Sequence, residues 1–204
     1  MDYVRKKLLT EYKKLFGEAV KYVRTQVPYN FYHRLIGSAK RNLVLEHHNK
    51  GIDFDYQIIF NQSFKGEDYQ QIKDDFLEAF KEFFVERGYE YAEDSMSAIT
   101  IKKLNNGKIH HSYDITILSP EPDVLHIIRY ETQQKEIMIL KPMKKTYKFR
   151  ERYKKISGTE MWGSLRDIYK YKKTLNVGSE EKKSFSLLAE ATKEVLDKYH
   201  INYE

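Results

Sequence analysis

The chain has no cysteine in its 204 residues, which excludes disulfides and thiolate-ligated zinc outright. It also has no uninterrupted apolar run of membrane-spanning length. The opening stretch MDYVRKKLLTEYKKLFGEAV alternates charged and apolar residues where a signal peptide would need an apolar core. A soluble, cytoplasmic chain with no membrane partner is therefore expected. Internal repeats and low-complexity linkers are absent too. What is present suits a folded domain. The chain is 41% hydrophobic and 14% aromatic, enough to build a packed core rather than a disordered segment. A formal charge of +6 favours polyanionic partners such as nucleotides or RNA, though it discriminates poorly among them.

Periodicity sketches the elements. Residues 3–25 carry Val4, Leu8, Tyr12, Leu15, Phe16, Ala19 and Val23 on one side of a helix that Pro28 ends. Residues 31–36 predict a strand, and residues 39–48 the start of a helix. Residues 67–87 repeat apolar side chains every three or four positions and stop at Gly88. The Asn105-Asn106-Gly107 turn between alternating segments predicts a hairpin, and 124–130 with 136–140 a second one. After Pro142 helices are expected near 146–156, 159–173 and 180–199. The expected fold is α+β, a mixed sheet flanked by helices over residues 1–142, followed by a helical C-terminal region, 143–204, packed on it.

Three short segments stand out against this background: LIGSAKRN, GIDFDYQIIF and HSYDITIL. A Gly37-Ser38 turn after an apolar stretch can hold phosphate oxygens with backbone N–H groups and a hydroxyl. Asp53 and Asp55 are two apart on an alternating strand, so they project from the same face. Asp114 stands at the matching phase of another strand. Three carboxylates drawn together repel one another unless divalent cations sit among them, which implies Mg²⁺ or Mn²⁺. Plainer readings exist. The Asp pair could lie on a solvated edge strand, and Gly37-Ser38, taken alone, is better read as an ordinary turn with Ser38 as N-cap.

In this order and on these elements, the residues resemble the nucleotidyltransferase superfamily related to DNA polymerase β. The third-carboxylate hairpin, TIKKLNNGKIHHSYDITIL, is similar to that of the bacterial oligoadenylate-synthetase-like and cyclic-oligonucleotide synthetases. The resemblance covers roughly residues 31–118. One departure is that Lys40-Arg41-Asn42 follows the Gly-Ser where the family carries Gly or Thr. This implies a phosphate grip rebuilt around Lys40 or Arg41.

The resemblance implies transfer of an NMP from an NTP, ATP being the expected one, to a hydroxyl acceptor with release of pyrophosphate. Asp53 and Asp55 would hold a metal bridging the triphosphate, and with Asp114 a second metal about 4 Å away. Gly37 and Ser38 would fix the phosphates, and Asp114 could also take the acceptor proton. The alternative is a catalytically silent module of this fold that binds RNA or a partner, as an antitoxin would. In the run 143–155, Lys144, Lys148, Arg152 and Lys155 fall close together at helical phase, as a solvated face or as a polyanion contact. The pairs His47-His48 and His110-His111 chelate poorly because adjacent side chains point apart, and positions on the surface, or behind the residues of a site, are expected for them. Trp162 is expected to pack at the core edge.

Overall fold

The computed structural model describes residues 1–46, 51–90, 92–143, 147–177 and 182–203. Its elements run β1 (Asp2–Tyr3), α1 (Lys6–Gln26), β2 (Phe31–Leu35), α2 (Gly37–Lys40), β3 (Leu45–Glu46), β4 (Ile52–Phe60) and α3 (Tyr69–Val85). Then come β5 (Glu93–Asp94), β6 (Ile99–Asn105), β7 (Lys108–Pro120), β8 (Leu125–Tyr130) and β9 (Met138–Pro142). Three helices close the chain: α4 (Tyr147–Ile156), α5 (Met161–Leu175) and α6 (Ser184–Lys198). Tyr3–Met143 forms one compact unit, and Lys144–Glu204 with Met1 and Asp2 the other.

In the first unit a mixed sheet runs in the order β2-β4-β7-β6-β5. β4 and β7 lie parallel, whereas β2 is antiparallel to β4 and β6 to β7. The far end of β7 pairs with β8, and β8 with β9. Alternation along β4 sorts its side chains by face. Phe54, Tyr56, Ile58 and Phe60 are buried with α1 and α3 in one core, which Tyr113, Ile115 and Ile117 of β7 join. Phe16 of α1 anchors it, its ring stacked on Tyr56 at 3.6 Å and 5.7 Å from Phe80 of α3. The opposite face keeps Asp53 and Asp55. β4 as a whole is an interior strand, between β2 and β7. β2 pairs with it only over Tyr56–Phe60, so Asp53 and Asp55 lie just past that pairing, in register with β7, Asp53 exposed and Asp55 half-buried.

Local signals explain the ends of these elements. Asp68 caps α3, its carboxylate accepting from the Gln70 and Gln71 amides at 3.0 Å. At the other end Gly88 takes a φ of +70°, and the Lys103 ammonium donates to the carbonyls of Arg87 and Gly88 at 2.9 and 2.6 Å. Asn106 and Gly107, both at positive φ, close the β6–β7 hairpin in the twist that antiparallel strands favour.

Two local expectations are corrected. The helix anticipated over 39–48 is only the single turn Gly37–Lys40. Asn42 then adopts a φ of +54°, which ends the helical path before it can build. The residues His47, His48, Asn49 and Lys50 lie outside the described residues. His111 does not stand on the surface but is 2% exposed. Tyr12 stacks on it at 3.9 Å, and it shares a hydrogen bond with the Tyr89 hydroxyl at 2.7 Å. Burial there pushes its imidazole down to about 3, with His110 and Lys103 adding to the effect.

The second unit packs α5 and α4 against α6. Leu187, Leu188, Ala191, Val195 and Leu196 of α6 and Leu165 of α5 are buried. Trp162 meets Tyr153 edge-on.

Candidate active site

The site is built where β2 ends beside β4. As β2 gives way to α2, the Ile36 amide donates to the Asp55 carbonyl at 2.8 Å, so the turn is tied to the strand at the residue that carries a carboxylate. Gly37 follows at a φ of +65°. A Cβ on Gly37 would sit 2.0 Å from Asp55 Oδ2 and 2.9 Å from its Cγ. Glycine is needed twice over here, for the left-handed backbone and for the close approach of Asp55. The Arg41 guanidinium then reaches back and donates to the Gly37 carbonyl at 2.7 Å. The Ser38 carbonyl accepts from the amides of Arg41 and Leu43. Ile36, not Ser38, occupies the N-cap position, with no side-chain capping bond, so the reading of Ser38 as a cap falls away. Lys40 is exposed.

The strands bring in the other carboxylates. In the parallel pairing of β4 with β7, Asp55 stands in register with Asp114, and Asp53 with Ser112. The Ser112 hydroxyl donates to Asp53 Oδ1 at 2.6 Å. Across the β6–β7 ladder Thr100 faces Asp114, and its hydroxyl donates to Asp114 Oδ1 at 2.7 Å. Asp53, Asp55 and Asp114 therefore share one region of the polar sheet face. Burial pushes the Asp55 carboxyl up to about 6, with the charges of Asp114 and then Asp53 raising it further and Arg41 opposing them.

Ser112 and Thr100 were not expected from the sequence. Both carry ordinary strand residues, and their roles depend on cross-strand register. The basic run is also placed only in part. Lys144 lies outside the described residues, whereas Lys148 is exposed on α4. Arg152 lies over the Tyr203 ring at 4.5 Å, and the Lys155 ammonium donates to the Asn202 carbonyl.

The donor set suits a hard divalent cation. It is all oxygen, and its most buried member, Asp55, is made harder to ionise first by burial and then by like charges that a cation would relieve. Among the described residues no group of three or more His, Cys, Asp or Glu is already drawn close enough to hold a metal ion. Ser112 and Thr100 instead each engage one oxygen of a carboxylate, on Asp53 and Asp114 respectively. A cavity of about 660 Å³, lined by Lys65, Tyr69, His126 and Leu140 among others, contains none of the three carboxylates. Its Lys65 and His126 are offset by Glu121 and Asp123 and the rest of the lining is largely apolar, a poor match to a triphosphate, so the chemistry points to the carboxylate face.

No family model and no curated protein matches the chain. Solved structures do. The chain is similar to the STING-associated CdnE c-di-GMP synthase of Capnocytophaga granulosa, with a TM-score of 0.67 and 17% identity over 99% of this chain and 64% of that one. It has the nucleotidyltransferase fold. The Escherichia coli DncV bound to 3'-deoxy GTP shares this fold at a TM-score of 0.59, with 15% identity over 95% of this chain and 54% of that one. So does the Elizabethkingia meningoseptica CdnE cyclic dinucleotide synthase with GTP and Apcpp, at 0.55, with 13% identity over 96% and 83%. The chain thus spans about half to two thirds of the length of the first two. No helix among the described residues is long and apolar enough to cross a membrane.

Proposed function

We propose that the chain transfers an NMP unit from an NTP to a hydroxyl acceptor with release of pyrophosphate. The observation that carries this reading is Asp55: seated against Gly37, in register with Asp114, and hard to ionise there. Crowding and burying carboxylates is unfavourable, and a module that only binds a partner has no need of it.

Asp53, Asp55 and Asp114 would hold Mg²⁺ or Mn²⁺, which when bound supplies charge neutralisation of the triphosphate and a lowered pKa for the acceptor hydroxyl. The rest is done by the chain itself. The Gly37 amide and Ser38 hydroxyl bind phosphate oxygens, with the positive charges of Arg41 and Lys40 at the same turn. Arg41 also fixes that turn through the Gly37 carbonyl. Thr100 holds one oxygen of Asp114, leaving the other for the acceptor side, where it can take the hydroxyl proton. Ser112 orients Asp53 in the same way. Positioning and electrostatic stabilisation of the transferring phosphoryl group account for the acceleration.

The nucleotide complexes of the similar structures contain GTP, 3'-deoxy GTP or Apcpp, which supports a purine NTP as substrate, ATP or GTP. As those proteins are nucleotide cyclases, the hydroxyl of a second nucleotide is the first acceptor to try. The test is incubation with each of the four α-³²P NTPs and Mg²⁺ or Mn²⁺, beside an Asp53→Ala, Asp55→Ala double variant. Labelled product that disappears in the double variant supports the reading. Label that persists there, or NTP binding that is indifferent to both metal and the double substitution, refutes it.

A further inference from the structure

A second cavity, of about 310 Å³, lies between α1 and the edge strand β2, lined by Lys14, Gly17, Glu18, Val20, Lys21, Arg24 and His33. Its volume falls at the lower end of the range for small-molecule sites. Its charge is unbalanced: Lys14, Lys21 and Arg24 face a single acidic residue, Glu18. Among the described residues Lys14 and Lys21 form no ion pair, whereas Arg24 is already engaged with the Phe31 carbonyl.

Two features suggest that the space is kept for something. Gly17 stands in the middle of a 21-residue helix, where glycine is a poor choice. A Cβ on it would meet nothing within 4 Å, so no neighbour forces glycine there. What glycine does is leave a notch in the α1 surface between Lys14 and Lys21, one turn away on either side. His33 supplies the opposite wall. Its imidazole is half-buried, in ring contact with Phe16 and Tyr56, and has no hydrogen-bond partner among the described residues. A polar ring left unpartnered beside an apolar notch and two unpaired ammonium groups is suited to an anionic group attached to a compact apolar body.

We propose that this pocket binds a small phosphorylated molecule, its phosphate held by Lys14, Lys21 and His33 and its body lying over Gly17. The site is separate from the carboxylate face. β2 nevertheless carries His33 four residues upstream of Gly37, so a ligand here touches the strand that leads into the phosphate turn.

The test is an NMR titration of the full chain in chelating buffer without NTP, so its result does not depend on the proposed catalysis. The probes are inorganic phosphate and phenyl phosphate. Saturable shifts at Gly17, Lys21 and the His33 ring are expected, with phenyl phosphate binding the more tightly. Reversing charge in Lys14→Glu, Lys21→Glu is expected to weaken both probes by about tenfold or more, since each lost pairing with a phosphate is worth a charge-assisted contact. Gly17→Leu, which suits a helix and has room, is expected to abolish the advantage of phenyl phosphate while the amide spectrum stays folded. Absence of saturation, binding that survives charge reversal, or equal affinity for the two probes overturns the proposal. So does a short RNA duplex that occupies the same residues about a hundredfold more tightly, because the surface would then be a nucleic-acid contact.

Discussion

Gly37 and Asp55 touch so closely that the carboxylate oxygen occupies the place where any other residue at 37 would carry its Cβ, 2.0 Å away. A turn described only as a phosphate grip is also the seat of a carboxylate. The two functions are linked through one missing methyl group.

Gly37→Ala is therefore expected to cost activity well beyond its cost in stability. The left-handed backbone at 37 makes alanine unfavourable by about 1–2 kcal/mol, a modest fall in melting temperature. Displacing Asp55 should remove most turnover, by about a hundredfold or more. Thermal melts and NTP turnover on the same preparation check this. A variant of normal activity would show that Asp55 need not sit against the turn.

Asp55 is expected to make the metal-free protein less stable as pH rises. Its carboxyl is raised to about 6 in the fold against an ordinary value near 3.8, so between those values the folded state binds more protons than the unfolded one. Stability is then highest at low pH as far as this group is concerned, and declines from about pH 4 to about pH 6. Asp55→Asn should melt higher than the parent at neutral pH, and the gap should close near pH 4. Added Mg²⁺ should raise the parent's melting temperature and leave the Asn variant's almost unchanged. A ¹³C carboxyl titration of Asp55 near its ordinary value would contradict the placement.

Thr100→Val keeps the shape of the side chain and removes the hydroxyl that holds Asp114. Metal affinity and turnover are each expected to fall by about 10- to 100-fold, with little change in melting temperature because the strand favours either residue. Ser112→Ala should act similarly through Asp53. Mn²⁺ binding by calorimetry, read beside turnover, separates this from a folding defect. Unchanged Mn²⁺ affinity would mean that the hydroxyls merely satisfy the carboxylates.

Gly17→Ala is expected to stabilise the protein by up to about 1 kcal/mol, since the site is helical and the added methyl meets nothing. Chemical denaturation measures it directly. A loss of stability would show that the notch is filled in solution.

Much of this was legible in the sequence, and the exceptions share a cause. Alternation along β4 was enough to put Asp53 and Asp55 on the face away from Phe54 and Tyr56, because strand phase depends only on neighbours in the chain. Asn106-Gly107 located the hairpin for the same reason. Counting outward from that turn, however, pairs Thr100 with Tyr113. The ladder instead shifts between Lys103 and Leu104, so that Thr100 faces Asp114. A bulge of one residue leaves no compositional mark, and with it the hydroxyl partner was hidden. The short α2 escaped for a related reason: nothing in SAKRNLVLEH shows that Asn42 turns left-handed. His111 looked like a surface residue because its burial comes from Tyr12 and Tyr89, which lie far from it in sequence.

The parallel pairing of β4 with β7 has a consequence for how the molecule comes to exist. Asp55 and Asp114 are neighbours across a ladder but 59 positions apart along the chain (114 less 55), with α3 and the β5–β6 strands between them. Parallel pairings of this reach close late, because the entropy of the intervening loop is lost before the contacts form. The β6–β7 hairpin and the α1 and α3 helices can form locally, whereas the three carboxylates are assembled only when β7 docks beside β4. A chain arrested on the ribosome before residue 114 would already hold the Gly37 turn and the Asp53-Asp55 pair, yet the carboxylate group would be incomplete. Maturation of the site is thus timed by the slowest pairing in the sheet.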